Sequence, residues 1–229
     1  MRIDRRFTGP ANSAHGGYAC ALFAHRAADL LGVEPNDVAV TLHAPPPLDS
    51  PLCAEPAARR VHVWHRDELI ATVRESNVAI GTADFVELPV AEQSAAHFAG
   101  RIAHPFPTCF ACGTARLDDG VGLSPGPVRG RPGTVACPWT TPAAPVPDWL
   151  VWAVLDCAGG WLFDQQAEPM VLAHLAVRLA GGVPPGERTI VTGRLDSRSE
   201  HGATVTTTLY RPGGGELGRA HATWARHRR

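Results

Sequence analysis

Residues 150–163 read Leu150-Val151-Trp152-Ala153-Val154-Leu155-Asp156-Cys157-Ala158-Gly159-Gly160-Trp161-Leu162-Phe163, and Asp156 is the single charged side chain among them. A carboxylate taken out of water without a partner is strongly destabilising, or is forced to stay protonated. This stretch therefore predicts a helix whose acid is either paired or set on a cavity wall. Pro147-Asp148 just upstream is a good helix start.

A second apolar helix is read in HGGYACALFAHRAADLLG, residues 15–32. It begins near His15, and Gly32 followed by Pro35 marks its end. Strand-like segments follow each helix. After the first come 37–44, 59–65, 68–76 and 78–88; after the second come 170–180, 188–197, 203–211 and 216–226. Hairpins are expected at His65-Arg66-Asp67 and Pro212-Gly213-Gly214-Gly215.

The two halves share an order of one helix and then four strands. Ala39-Val40-Thr41-Leu42 also matches Ala176-Val177-Arg178-Leu179 at three of its positions, each leading into a Pro/Gly bend. Together these point to a duplication. A long apolar helix before an antiparallel meander implies a sheet wrapped around that helix, burying it nearly all round. The expected fold class is α+β: two antiparallel sheets, each wrapped around a long central helix. The N-terminal unit spans residues 1–100 and the C-terminal unit residues 101–229.

Composition narrows the function. The chain has 229 residues, 45% hydrophobic and 19% charged, enough for a packed core. Net charge is −1, all 21 basic residues are Arg, and they are spread out, so no nucleic-acid surface is expected. No uncharged run is long enough to span a membrane. MRIDRRFTGP has no apolar run behind it, so no signal peptide is expected. The six Cys then read as reduced thiols of a cytoplasmic protein.

Three stretches carry a likeness: His15-Gly16-Gly17 opening a helix, LDCAGG at 155–160, and Cys109-Phe110-Ala111-Cys112-Gly113 followed by Gly120-Val121-Gly122-Leu123. With them the chain resembles the hotdog-fold thioesterase superfamily, especially its PaaI-like and acyl-CoA thioesterase II-like branches. The resemblance implies a bacterial double hotdog with a site between the two units. It implies that the Gly16 and Gly17 amides, with Asn12, polarise a thioester carbonyl, and that His15 opens that helix at the substrate. Asp156 activates water or attacks directly, and His174 stands where the family carries a strand hydroxyl. Trp152, with Trp161 and Phe163, would line the acyl pocket. The substrate would be an acyl thioester of coenzyme A or of a carrier protein. No other cofactor is implied, and a homodimer of double hotdogs is compatible with it.

The halves complement each other. The first helix lacks a carboxylate where the second has Asp156, and the second lacks the Gly-Gly start. A helix N-terminus offers free N–H groups and partial positive charge to an oxyanion, and glycine lets a carbonyl approach. One complete site per chain is expected. A hotdog dehydratase or hydratase using His15 with Asp156, and a non-catalytic acyl-thioester binder, stay open.

Cys109 and Cys112 are read as a packed thiol turn. Tetrahedral zinc takes four ligands, and Cys137 and His104 would have to complete the set, so no metal is expected. The helical period turns Cys157 away from the Asp156 face. Gly159-Gly160 reads as tight packing against the other helix, or as an early helix end.

Overall fold

In the computed structural model, which describes residues 1–116 and 118–226, His15 is the N-cap of helix α1 (Gly16–Leu31). Its Nδ1 accepts the Tyr18 N–H at 3.3 Å, and Gly32 closes the helix in the left-handed region at φ 70°. Four strands follow: β1 (Val38–Leu42), β2 (Cys53–Ala57), β3 (Arg60–His65) and β4 (Glu68–Glu75). Next are helix α2 (Leu88–Ala96), strands β5 (Gly126–Pro127) and β6 (Thr134–Thr140), and helix α3 (Asp148–Gly160). Strands β7 (Met170–Leu179), β8 (Arg188–Arg198), β9 (Gly202–Tyr210) and β10 (Glu216–Arg226) complete the chain. Both expected helix starts and both hairpins are present.

The two expected sheets are one. β1 pairs antiparallel with β7, giving a ten-stranded antiparallel sheet in the order β2-β3-β4-β1-β7-β10-β9-β8-β6-β5. Ala39 and Ala176, which head the two matched tetrapeptides, stand directly opposite each other across that joint. Two copies related by a two-fold rotation would meet in this way. Pairing also removes two open edges, each a row of unsatisfied N–H and C=O groups.

Residues 78–88 do not form a strand. They cross the outer face of the sheet, with Ile80 packed on Ala39 and Ala176. The Ala83 N–H donates to Thr208 Oγ1 at 2.9 Å and its carbonyl accepts from the Tyr210 hydroxyl at 2.5 Å. The segment thus exchanges ladder bonds for side-chain bonds, which a period-two reading does not detect. α2 then lies against β5, β6 and β8. Strands β2 and β6 carry Pro56 and Pro138, which masked them in the sequence; β2 is an edge strand, where proline is tolerated.

Every residue of α3 from Leu150 to Gly160 is buried, as a helix swallowed by a sheet requires. α1 departs from that expectation, since Arg26 and Asp29 face solvent. The helices run antiparallel in direct contact, with Gly17 at Asp156 and His25 at Asp148. A Cβ at Gly17 would fall 2.6 Å from both the Asp156 Cβ and the Trp152 carbonyl oxygen. Gly159 and Gly160 serve a different neighbour from the one expected. They lie under β9 and β10, where a Cβ would meet Val205 and the Trp224 ring, and the helix ends at Gly160.

Gly17→Ala is expected to destabilise the fold by about 1–3 kcal/mol through overpacking. Gly182→Ala, with open space around it, is expected to be near neutral. Denaturant midpoints compare the two.

Candidate active site

The α1 start, the second half of α3, the first residues of β7 and the segments 42–46 and 104–112 enclose a cavity of about 300 Å³. Pro46, Phe106, Leu172, Met170 and Trp161 supply apolar wall, and Gly16, His15 and Asp156 supply polar groups. An apolar cleft with few converging polar groups is the usual form of a small-molecule site.

Asp156 Oδ2 accepts the Gly17 N–H at 2.6 Å, and its Oδ1 is buried with no hydrogen-bond partner among the described residues. His15 Nδ1 is 3.6 Å from the same Oδ2. Burial pushes the Asp156 carboxyl up to about 6, against the opposing pull of His15 and the Gly17 hydrogen bond. Burial draws His15 down, but the Cys109 sulfur and Asp156 outweigh it, and its pKa ends above the ordinary value.

Gly17 therefore differs from its expected role. Its amide holds the carboxylate and is not free for a substrate carbonyl. The Gly16 N–H has no hydrogen bond among the described residues and sits on the cavity wall. The first turn of α1 thus splits its free donors: Gly17 to the acid, Tyr18 to the His15 ring, Gly16 open.

Besides Gly17, four expected residues fall outside the cavity wall: His174, Asn12, Trp152 and Phe163. His174 is on the outer face of the sheet: its Nδ1 is 3.1 Å from Thr41 Oγ1, and the pair shares that face with Ala39 and Ala176. The neighbouring His221 also lowers its pKa after burial has done so. Asn12 is exposed at φ 61°, while its neighbours Ala11 and Ser13 line the cavity. Trp152 is buried in the core, 1% exposed, one turn before Asp156; Trp161 is the tryptophan at the wall.

Three cysteines are on the wall without having been expected there. Cys157 Sγ is 3.3 Å from His15 Nε2, 3.2 Å from Cys112 Sγ and 3.7 Å from Cys109 Sγ. Successive helical residues diverge by about 100°, and the cavity is wide enough to receive both Asp156 and Cys157. Hydrogen bonds from Cys112 and Cys157 hold the Cys109 thiol well below the ordinary range, while Cys112 and Cys157 are raised. The C-x-x-C spacing was the available signal; its partners on α1 and α3 were not.

No family model matches the sequence, and no curated protein matches it in sequence. Solved structures do match in shape. A protein of Novosphingobium aromaticivorans assigned as a thioesterase is 15% identical, with a TM-score of 0.63 over 98% of this chain and 93% of that one. The tesB protein of Mycobacterium avium subspecies paratuberculosis is 16% identical, with a TM-score of 0.61 over 96% and 90%. The chain shares the fold of these proteins. An acyl-CoA thioesterase II, TesB2, of Mycobacterium marinum is 13% identical, with a TM-score of 0.58 over 95% and 90%. At these identities the hotdog likeness speaks for architecture, and the chemistry has to be argued from Asp156 and its surroundings.

Asp156→Ala is expected to cost about 1–3 kcal/mol, because it strands the buried Gly17 N–H. Asp156→Asn keeps an acceptor for that N–H and is expected to stay within about 1 kcal/mol of the parent. Thermal melts of the two variants decide the point.

Proposed function

We propose that the protein hydrolyses acyl thioesters, of coenzyme A or of a carrier protein, at a single site between its two halves. The reading rests on one arrangement. A carboxylate with one oxygen anchored and the other unpartnered shares an apolar cavity with the open N–H of Gly16. A neighbour in fold that bears the name acyl-CoA thioesterase II supports it.

The thioester carbonyl oxygen accepts the Gly16 N–H at the positive end of α1. Such a donor stabilises the oxyanion by roughly 2.7–4 kcal/mol in a dry site. Asp156 Oδ1 accepts a proton from water as that water adds to the carbonyl carbon. The tetrahedral adduct collapses, the C–S bond breaks, and the thiolate takes the proton back from Asp156. The products are a carboxylic acid and a free thiol. His15 holds the first turn of α1 through Tyr18, and Gly17 orients the acid. The Gly17 bond commits Oδ2 and leaves Oδ1 as the oxygen for the proton transfer, so part of the positioning precedes binding.

Thiol release from a panel of acyl thioesters of graded length and polarity tests the reading. Asp156→Asn is expected to lower kcat about 10²–10⁴-fold while ligand binding is kept. An unchanged rate overturns the role given to the acid. Binding without thiol release by the parent chain identifies an acyl-thioester binder, and an enoyl product identifies a dehydratase.

His174→Ala is expected to keep turnover within about two-fold, because its ring is on the outer face of the sheet. A loss comparable to that of Asp156→Asn would show that the sheet face has been wrongly assigned. Steady-state rates on the best substrate make the comparison.

A further inference from the structure

We propose that His15, Cys109, Cys112 and Cys157 form a binding site for a soft divalent metal ion, with zinc as the expected occupant. Thiolate sulfur and imidazole nitrogen are the donor types such ions select. The donors come from three separate parts of the chain: the α1 cap, the connecting segment, and α3. The notion of a packed thiol turn explains the first pair of cysteines but not why a third thiol and a ring nitrogen converge on it.

The sulfur separations fit three edges of a tetrahedron. With Zn–S near 2.3 Å and Zn–N near 2.0–2.1 Å, edges come to about 3.8 Å between sulfurs and about 3.5 Å between sulfur and nitrogen. The sulfurs are separated by 3.6 Å (Cys109 to Cys112), 3.7 Å (Cys109 to Cys157) and 3.2 Å (Cys112 to Cys157). His15 Nε2 is 3.3 Å from Cys157 Sγ, and the donor atoms of His15, Cys109 and Cys157 all lie within 4.8 Å of one another. Cys112 Sγ lies beside the other two sulfurs but outside that span from the His15 ring, so it closes a four-donor shell only if the ring turns toward it. Cys137 and His104, the residues that a zinc set built on the Cys109-x-x-Cys112 pair alone would have needed, do not take part. Cys137 is on β6, and His104 uses Nε2 on the Cys112 carbonyl at 3.1 Å.

The surroundings are built to hold that turn. The Gly113 N–H donates to the Cys109 carbonyl at 2.9 Å, and a Cβ at Gly113 would collide with the Cys109 backbone and the Pro107 carbonyl oxygen. Trp161 Nε1 donates to Cys112 Sγ at 3.3 Å, as an outer-layer donor does to a ligating thiolate. Asp156 Oδ2, 3.6 Å from His15 Nδ1, is placed to receive that N–H once Nε2 is given to the metal. This tautomer gives up the 3.3 Å contact from the Tyr18 N–H. Three thiols that bind as thiolates release their protons to solvent. The metal would tie the segment joining the halves to both helices. The site stands whether or not the chain hydrolyses thioesters.

The test uses the full chain, purified reduced, stripped with chelator and titrated with zinc or cobalt alone. One equivalent of cobalt per chain, with the intense absorption of tetrahedral cobalt thiolate, is the expected result. Zinc should displace it and raise Tm. Cys109→Ser and Cys112→Ser are expected to lose the band, whereas the exposed Cys53→Ser keeps it. X-ray absorption of the zinc-loaded parent needs no variant and should show a shell of three sulfurs and one nitrogen. Failure of the reduced parent to take up stoichiometric metal overturns the proposal. So does uptake unchanged in Cys109→Ser and Cys112→Ser, or a shell without sulfur.

Discussion

The hydrogen bond from the Gly17 amide to Asp156 fastens two antiparallel helices at their point of closest approach. Neither partner is easily accommodated alone. A carboxylate on the buried stretch of α3 needs a donor, and a helix N-terminus carries N–H groups that its own turns cannot satisfy. Each supplies what the other lacks, and glycine at position 17 is what lets the helices come close enough. The sheet packs over the two touching helices, and its β1–β7 joint lies against both of them.

That bond also sets the chemistry of the cavity. One carboxylate oxygen is committed and the other is left without a partner in an apolar wall. Burial pushes the acid up, and the His15 ring and the Gly17 amide restrain the shift, leaving the group at about 6. His15 serves several neighbours at once. It caps α1, lies beside Asp156, and presents its other nitrogen to Cys157. The acid and the sulfur cluster therefore share one imidazole, so a change at either should be felt by the other.

His174, placed by likeness to the family's strand hydroxyl, falls off the cavity wall for a local reason. β7 carries an irregularity opposite Thr223 and Trp224. One extra residue there reverses which face the following side chains take, so Leu172 reaches the cavity and His174 the outer face. Asn12 stands exposed at a left-handed turn of the chain, and it is Ala11 and Ser13 on either side that line the cavity. Residues 78–88 have strand composition but find their hydrogen bonds in Thr208 and Tyr210.

What the sequence determined by itself was local and periodic. The starts of both helices, the end of the first, the hairpins, the solitary acid and the glycine pair at a helix start were all readable, because capping, period and burial cost act over a few residues. The merging of two sheets into one, the capture of the Gly17 amide by Asp156, and the meeting of Cys157 and His15 with Cys109 and Cys112 were decided only in the tertiary structure. Each depends on how closely two distant segments approach, and no pattern along a single chain encodes that distance.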